Sequence, residues 1–474
     1  MTHDCDEPPS IKFGSAPPAV LHSSFHGRIG VARGDITPPV GIYARNWGAA
    51  EHDIAESIHR PLTLTALTLA ADPESSPLVL VEADLGWWRP LAVFKQMQGR
   101  LLEALNLDSS RLIFSLTHTH AAPPLAEADP LWPGGHLLAD WLEAIFQTAV
   151  ATVRQALENS AEAIFDWHHG RCQLASMRDL PDPAPGVNRL LCGYNPQGQA
   201  DDTLLLGRVT GRGGTIRATL VNYACHATTL AWENRAISPD FVGAMRETIE
   251  AATGGSPALF LQGASGDLAP RHQYVGDTSV ADRHGRGLGY AALATLEEMQ
   301  PPATQLAFRG LVESGAPLAV WRPEPVAVSD ILRAVETAVE LPLKDWPSAD
   351  ELERQRLGCE DRALEERLRR KRDIRRQLGD GKTYALPITA WRIGNAVMIG
   401  CMAECYSQLQ QQLRRRCPDH TVICMNLING SIGYLPPAGL YDADVYQVWQ
   451  TPFARGSLET ITDAMIETIG RLFD

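Results

Sequence analysis

"RLIFSLTHTH" (residues 111–120) is a short apolar run that ends in two histidines. Its length and composition read as a buried strand rather than a helix. Side chains at i and i+2 of an extended chain share one face, so His118 and His120 are expected side by side where the strand gives way to a loop. Three readings are open at this point: metal ligands, members of a proton relay, or two polar residues at a strand end.

The same kind of run recurs as "LTLTALTLA" (62–70), "LVLVEAD" (78–84), "ATLVNYACH" (218–226), "ALFLQG" (258–263), "NAVMIG" (395–400) and "TVICMNL" (421–427). Between them, residues 90–106, 138–159 and 239–255 carry apolar side chains at i, i+3, i+4 and i+7, the signature of amphipathic helices. "GRGG" (211–214) lacks the Lys-Ser/Thr ending of a phosphate loop and reads as a hairpin turn between "TLLLGRV" and "TIRATLV". Alternation of buried strands with helices predicts an α/β fold of mixed, largely parallel sheet layers flanked by helices.

With 45% hydrophobic and 21% charged residues over 474 positions, the chain has the composition of a soluble enzyme. A formal charge of −14 excludes the basic footprint that nucleic acid or an anionic membrane requires. Nine cysteines without a tight spacing pattern, and an N-terminus "MTHDCDEPPS" without a basic and apolar leader, point to reduced thiols and a cytoplasmic location. Residues 1–27, rich in Pro and Ser, are expected to be loosely ordered. Residues 28–474 are expected to form a single domain. A charged block within 345–380 reads as a solvated helix or helical hairpin inserted beside the core.

Polar residues gather where the apolar runs end. "LVNYAC" runs into His226, "ALFLQ" opens into "GASGD" with Asp267, "NAVMIGCMA" reaches Glu404, and "TVICMNLING" leads to Tyr434. Ligands of open α/β sheets sit outside the carboxyl ends of strands. A carboxylate amid "VMIGCM" needs a partner charge, strong hydrogen bonds or a metal to stay ionised. Imidazole nitrogens with a carboxylate are a ligand set that zinc prefers. On spacing and chemistry alone, a metal site and a set of hydrogen-bonded polar residues both remain open. Cys225, next to His226, and Cys401 and Cys405, flanking Glu404, read as buried small hydrophobes rather than as a nucleophile or a second metal site. Trp87, Trp88 and Trp132 fit a substrate pocket and structural packing equally well.

"GVARGDITPPVG" (30–41), "THTHAAP" (117–123), "VNYACHATTL" (221–230), "FLQGASGDLAP" (260–270), the Glu404 segment and "NGSIGYLPPAGLY" (429–441) occur in an order that resembles the neutral/alkaline ceramidase family, in its bacterial members consisting of the amidase-like domain. The resemblance spans roughly residues 28–460. It implies a zinc-dependent hydrolase that cleaves a C–N amide bond of a small molecule with a metal-activated water. It assigns His118, His226 and Glu404 as zinc ligands, with Tyr434 completing or lining the site and Tyr441 as the competing choice. It makes His120 the substrate-facing histidine and sets Arg189, in "GVNRLL", near the scissile amide. Gly263, Ser265 and Asp267 would lie behind the site or against substrate.

Two departures stand out. The family carries a serine where this chain has Gly263, with Ser265 two residues on. The chain also ends about where the family's C-terminal immunoglobulin-like domain begins. An ester or lactone would use the same machinery, and a binding protein with a structural metal is the non-enzymatic alternative. Oligomeric state is left open, a homo-oligomer included.

Overall fold

The computed structural model describes residues 23–129 and 131–474. β1 (Ser23–Asp35), β2 (Thr63–Ala70) and β3 (Leu78–Ala83) are followed by α1 (Leu91–Leu105), β4 (Leu112–Leu116), α2 (Leu138–Glu158) and β5 (Ala161–Arg171). β6 (Thr203–Gly211) and β7 (Ile216–Tyr223) come next, then α3 (Phe241–Ala252), β8 (Ala258–Gln262) and α4 (Thr278–Glu298). These eight strands form one sheet in the order β8-β7-β6-β5-β1-β2-β3-β4. After a hairpin of β9 (Thr304–Glu313) and β10 (Pro317–Pro325) comes β11 (Leu332–Pro342). It leads through α5 (Ala349–Leu357) and α6 (Arg362–Leu378) to β12 (Thr383–Ile393) and β13 (Ala396–Cys401). β14 (Glu404–Cys405), α7 (Gln408–Arg416), β15 (Thr421–Met425), β16 (Tyr434–Leu435), α8 (Tyr446–Gln450) and α9 (Ser457–Phe473) complete the chain. A second sheet runs β11-β12-β13-β15.

The two sheets meet face to face. Phe25, Leu67, Leu80, Phe165, Leu220 and Leu259 of the large sheet share one buried cluster with Trp391, Met398 and Ile423 of the small one. Alternation along β2 turns Leu64 and Ala66 to the opposite face, where they join Ile145, Ala149 and Val153 of α2. The outer face of the small sheet, with Ile388, Val397 and Val422, is covered by Leu409 of α7 and Ile461 and Met465 of α9. The layers are therefore helix, sheet, sheet, helix, and the mixed α/β architecture is as the sequence predicts.

The direction of pairing is not. Five of the seven pairings in the large sheet are antiparallel, against two parallel ones. Among consecutive strands of this sheet, β1–β2, β2–β3, β5–β6 and β6–β7 are joined without an α-helix between them, and only a crossover returns the chain in the same direction. The β6–β7 hairpin turns at Gly213 and Gly214, both at positive φ, as "GRGG" predicts. The three helical crossovers, β3–α1–β4, β7–α3–β8 and β13–α7–β15, each link a parallel pair. His118 follows β4, His226 follows β7, "GASGD" follows β8 and Glu404 follows β13, so the polar residues do collect at carboxyl ends of parallel strands.

Most of the expected loose N-terminal segment lies outside the described residues. Ser23–Gly27 instead opens β1, paired with β5, and Phe25 is fully buried. The charged block forms the helical hairpin α5–α6, with Glu365–Arg369 and Glu366–Arg370 ion pairs one turn apart. Among the described residues, no helix is long and apolar enough to cross a membrane.

Candidate metal centre

β4 ends at Leu116, and the chain leaves the sheet before the first histidine. His118 has φ 64, a left-handed conformation that costs a non-glycine residue strain. Its backbone N–H donates to Leu85 O and its Nδ1 lies 3.0 Å from Gly86 O. The two histidines come together through this turn rather than through strand alternation, with Nε2 atoms 3.4 Å apart. His226 is held in the same manner: its Nδ1 lies 2.7 Å from Ser265 O and 3.2 Å from Leu268 O. With each Nδ1 committed as a donor to a carbonyl, each Nε2 presents a lone pair to the centre.

That centre contains Glu404. Its Oε2 lies 3.0 Å from His226 Nε2 and 3.3 Å from His118 Nε2. β14 and β16 are parallel, with Glu404 directly opposite Tyr434, and the Tyr434 hydroxyl reaches to 3.5 Å from His226 Nε2. One ring nitrogen from each of His118, His120 and His226 lies within 4.8 Å of the other two. Burial and the Arg178 cation push His226 down to about 3, which keeps it neutral and available as a ligand. Burial and Glu404 raise the Tyr434 phenol well above its ordinary value, so it stays protonated. Buried imidazole nitrogens, one carboxylate and a phenol, with no cysteine at the centre, form a donor set that could hold a metal ion.

Arg189 is not brought to this cluster. It lies on the rim, half-exposed, and its Nε donates to Asp182 over 2.8 Å. The arginine that reaches the cluster is Arg178, which the sequence reading missed. Only 3% exposed, it donates to Gly266 O over 2.8 Å and to the Tyr434 hydroxyl over 3.2 Å. No motif surrounds it in "SMRDL"; the segment following β5 has no strong periodicity to place it. Tyr441 is not brought in either, because its hydroxyl donates to Phe453 O.

"GASGD" acts mainly through its backbone. Ser265 offers its carbonyl to His226, while its hydroxyl accepts from Gln262. Gly266 sits so close to Glu404 that a Cβ would stand 2.8 Å from the Glu404 carbonyl, so a side chain here would displace the carboxylate. Asp267 takes the N–H and hydroxyl of Ser407, each over 2.7 Å. It thus anchors the segment that carries Glu404 rather than a histidine. Gly263 is packed against Ala224 and Gln410. Cys225 is buried in the core with its side chain away from the cluster, and the Cys401 and Cys405 sulfurs lie 3.7 Å apart in the interior.

A cavity of about 650 Å³ opens onto the cluster, with His120, Arg178 and Tyr434 in its wall. His120 rests against Trp87 and Trp47, at ring separations of 4.7 and 5.2 Å. Trp88 instead packs on Phe94 and Phe114 in the core, and Trp132 stacks on Tyr43.

No family model matches the chain, and no curated protein matches it. Solved structures do match. A ceramidase complexed with C2 superposes with a TM-score of 0.65 at 16% identity. Neutral ceramidase from Pseudomonas aeruginosa superposes with 0.66 at 17% identity. Each match covers 94% of this chain and 74% of the other. The chain has the ceramidase fold.

Within that fold the α5–α6 hairpin supplies a wall that the sequence does not announce. Glu366, Arg367 and Arg370 of α6 line the cavity. Arg370 donates to Asn46 O and lies 3.3 Å from the Tyr446 hydroxyl, tying α6 to loops on either side. The i,i+4 charge pattern of a solvated helix and that of a helix closing a polar site are the same, so no periodicity separates them.

Proposed function

We propose that this chain is a zinc-dependent hydrolase that cleaves the C–N bond of an amide. The observation that carries the reading is the convergence of two buried imidazole Nε2 atoms on the Glu404 carboxylate, beside His120 and Tyr434 on the wall of a cavity. His118, His226 and Glu404 would hold the ion, with Tyr434 as a further ligand or as a hydroxyl donor to the substrate carbonyl. The ion would supply an activated water at neutral pH and polarise the carbonyl.

The side chains around it have separate tasks. His120 is kept neutral by burial, so it can take a proton at a ring nitrogen and deliver it to the departing amine. Arg178 fixes the Tyr434 hydroxyl through their 3.2 Å bond and adds a fixed positive charge where negative charge develops on the carbonyl oxygen. Trp47 and Trp87 hold the His120 ring by contact and keep bulk water from it. Amide is the class proposed because ceramide is itself an amide and two proteins sharing this fold are ceramidases. His118, His226 and Glu404 each follow the carboxyl end of a strand, the arrangement common to ligand sites in α/β sheets.

The test is metal analysis of the purified protein together with an activity panel of N-acyl amines, amides, esters and lactones on zinc-loaded enzyme. Stoichiometric zinc with amide turnover is expected. Absence of zinc, or turnover confined to esters and lactones, would overturn the reading.

A further inference from the structure

The charges lining the cavity run against the charge of the chain. The sequence has 56 acidic against 42 basic residues, yet the cavity is lined by four arginines, Arg178, Arg189, Arg367 and Arg370, and only two carboxylates, Glu366 and Asp444. Pairing within the wall leaves the imbalance in place. Arg189 is matched by Asp182. Glu366 is divided among Arg370, Arg89 and Arg369, so it offsets less than the positive charge around it. Arg178 and Arg367 make no ion pair among the described residues. Arg178 donates to one carbonyl and one phenol, and Arg367 lies 3.9 Å over the Trp449 ring.

Arg178 is buried without a carboxylate, while Arg367 is exposed on the cavity wall with its guanidinium unpaired, so a carboxylate entering the cavity can pair with Arg367 directly. Much of the remaining wall is aromatic, beside Leu190 and Leu191. Trp47 meets Trp232 and Tyr274 edge-on, and Tyr446 meets Trp449 edge-on. Such rigid faces suit a compact ring better than a long alkyl chain.

We propose that the amide cleaved here carries a carboxylate, as an N-acylated amino acid does, and that Arg367 is the specificity-determining residue that receives it. This rests on the amide-hydrolase reading, so the experiment separates the two. N-acetyl-L-phenylalanine and its decarboxylated counterpart N-acetylphenethylamine are compared, for binding by calorimetry and for hydrolysis by the zinc-loaded enzyme with product detected by mass spectrometry. Binding of the acid tighter by about tenfold or more is expected, the scale of a charge-assisted contact, with the margin abolished in R367Q. Equal binding, no binding of the acid at millimolar concentration, or a margin that survives R367Q overturns the proposal. Preferential hydrolysis of the acid supports it. Faster turnover of the neutral amide, or of C2-ceramide, overturns it while leaving the amide reading standing. A binding preference with no amide hydrolysed upholds the charge selection and overturns the amide reading instead.

Discussion

His226 Nδ1 lies 2.7 Å from the carbonyl oxygen of Ser265. A main-chain oxygen thus fixes which nitrogen of His226 carries the proton, and the Ser265 hydroxyl takes no part in it. Ser265→Ala should therefore keep kcat/KM within about threefold of the parent, since no group that meets substrate is removed. Its cost falls on stability, about 1–2 kcal/mol, because the buried Gln262 amide loses the acceptor it now has. Steady-state kinetics with urea denaturation checks both. A loss of hundredfold or more in turnover with unchanged stability would put the hydroxyl in the reaction.

Removing a member of the central cluster acts differently. His118→Ala and Glu404→Ala each delete one donor from a set whose atoms stand 3.3 Å apart. Each variant is expected to retain its far-ultraviolet circular dichroism and to bind less than about a tenth of the parent's zinc after dialysis, with activity lost in step. Plasma emission spectroscopy on the dialysed proteins gives the stoichiometry. Full zinc in both variants would place the ion elsewhere.

Gly263 tests how far the resemblance extends. The ceramidase family has a serine at the matching position, but a Cβ here would stand 2.9 Å from Gln410 Oε1 and 3.0 Å from the Ala224 Cβ. Both neighbours are buried, and the Gln410 oxygen already accepts from Ala264 N–H. Gly263→Ser should lower stability by about 1–3 kcal/mol through overpacking and bring no gain in amide turnover. Urea unfolding paired with the activity assay decides it, and a rise in turnover would reinstate a role for serine in this fold.

Local pattern made much of this legible. The strands of the sheet core, the helices α1, α2 and α3, and the strand-end positions of His118, His226 and Glu404 follow from apolar periodicity interrupted by polar residues. Sheet direction was not legible, because a buried strand reads the same whichever way its neighbours run. β1 was hidden by the Pro- and Ser-rich text before it, although Phe25 is among the most buried side chains. Arg178 and Arg367 stayed hidden for another reason. Each gains its place from a partner distant in sequence, Tyr434 for the one and Trp449 for the other, and spacing carries no trace of such a contact.

Glu366 links the charged hairpin to the rest of the molecule, and its ionisation has a pH signature. Burial would raise its carboxyl, but Arg370, Arg89 and Arg369 together hold it down to about 2, from an ordinary 4.5. A carboxylate depressed on folding contributes stability that is fully present above 4.5 and is lost as pH falls towards 2. The shift corresponds to about 3 kcal/mol at neutral pH, and the side chain is only 9% exposed, so solvent screens little of it. Glu366→Gln removes the charge while keeping the shape, and leaves Arg370 and Arg89 without their carboxylate. At pH 7 the variant should be less stable by about 3 kcal/mol, and at pH 3 by less than half of that, because the parent has by then lost most of the same contribution. Urea unfolding of both proteins at the two pH values measures the difference. No gap at pH 7 would mean that Glu366 acts through shape alone and that the arginines of α6 are neutralised elsewhere.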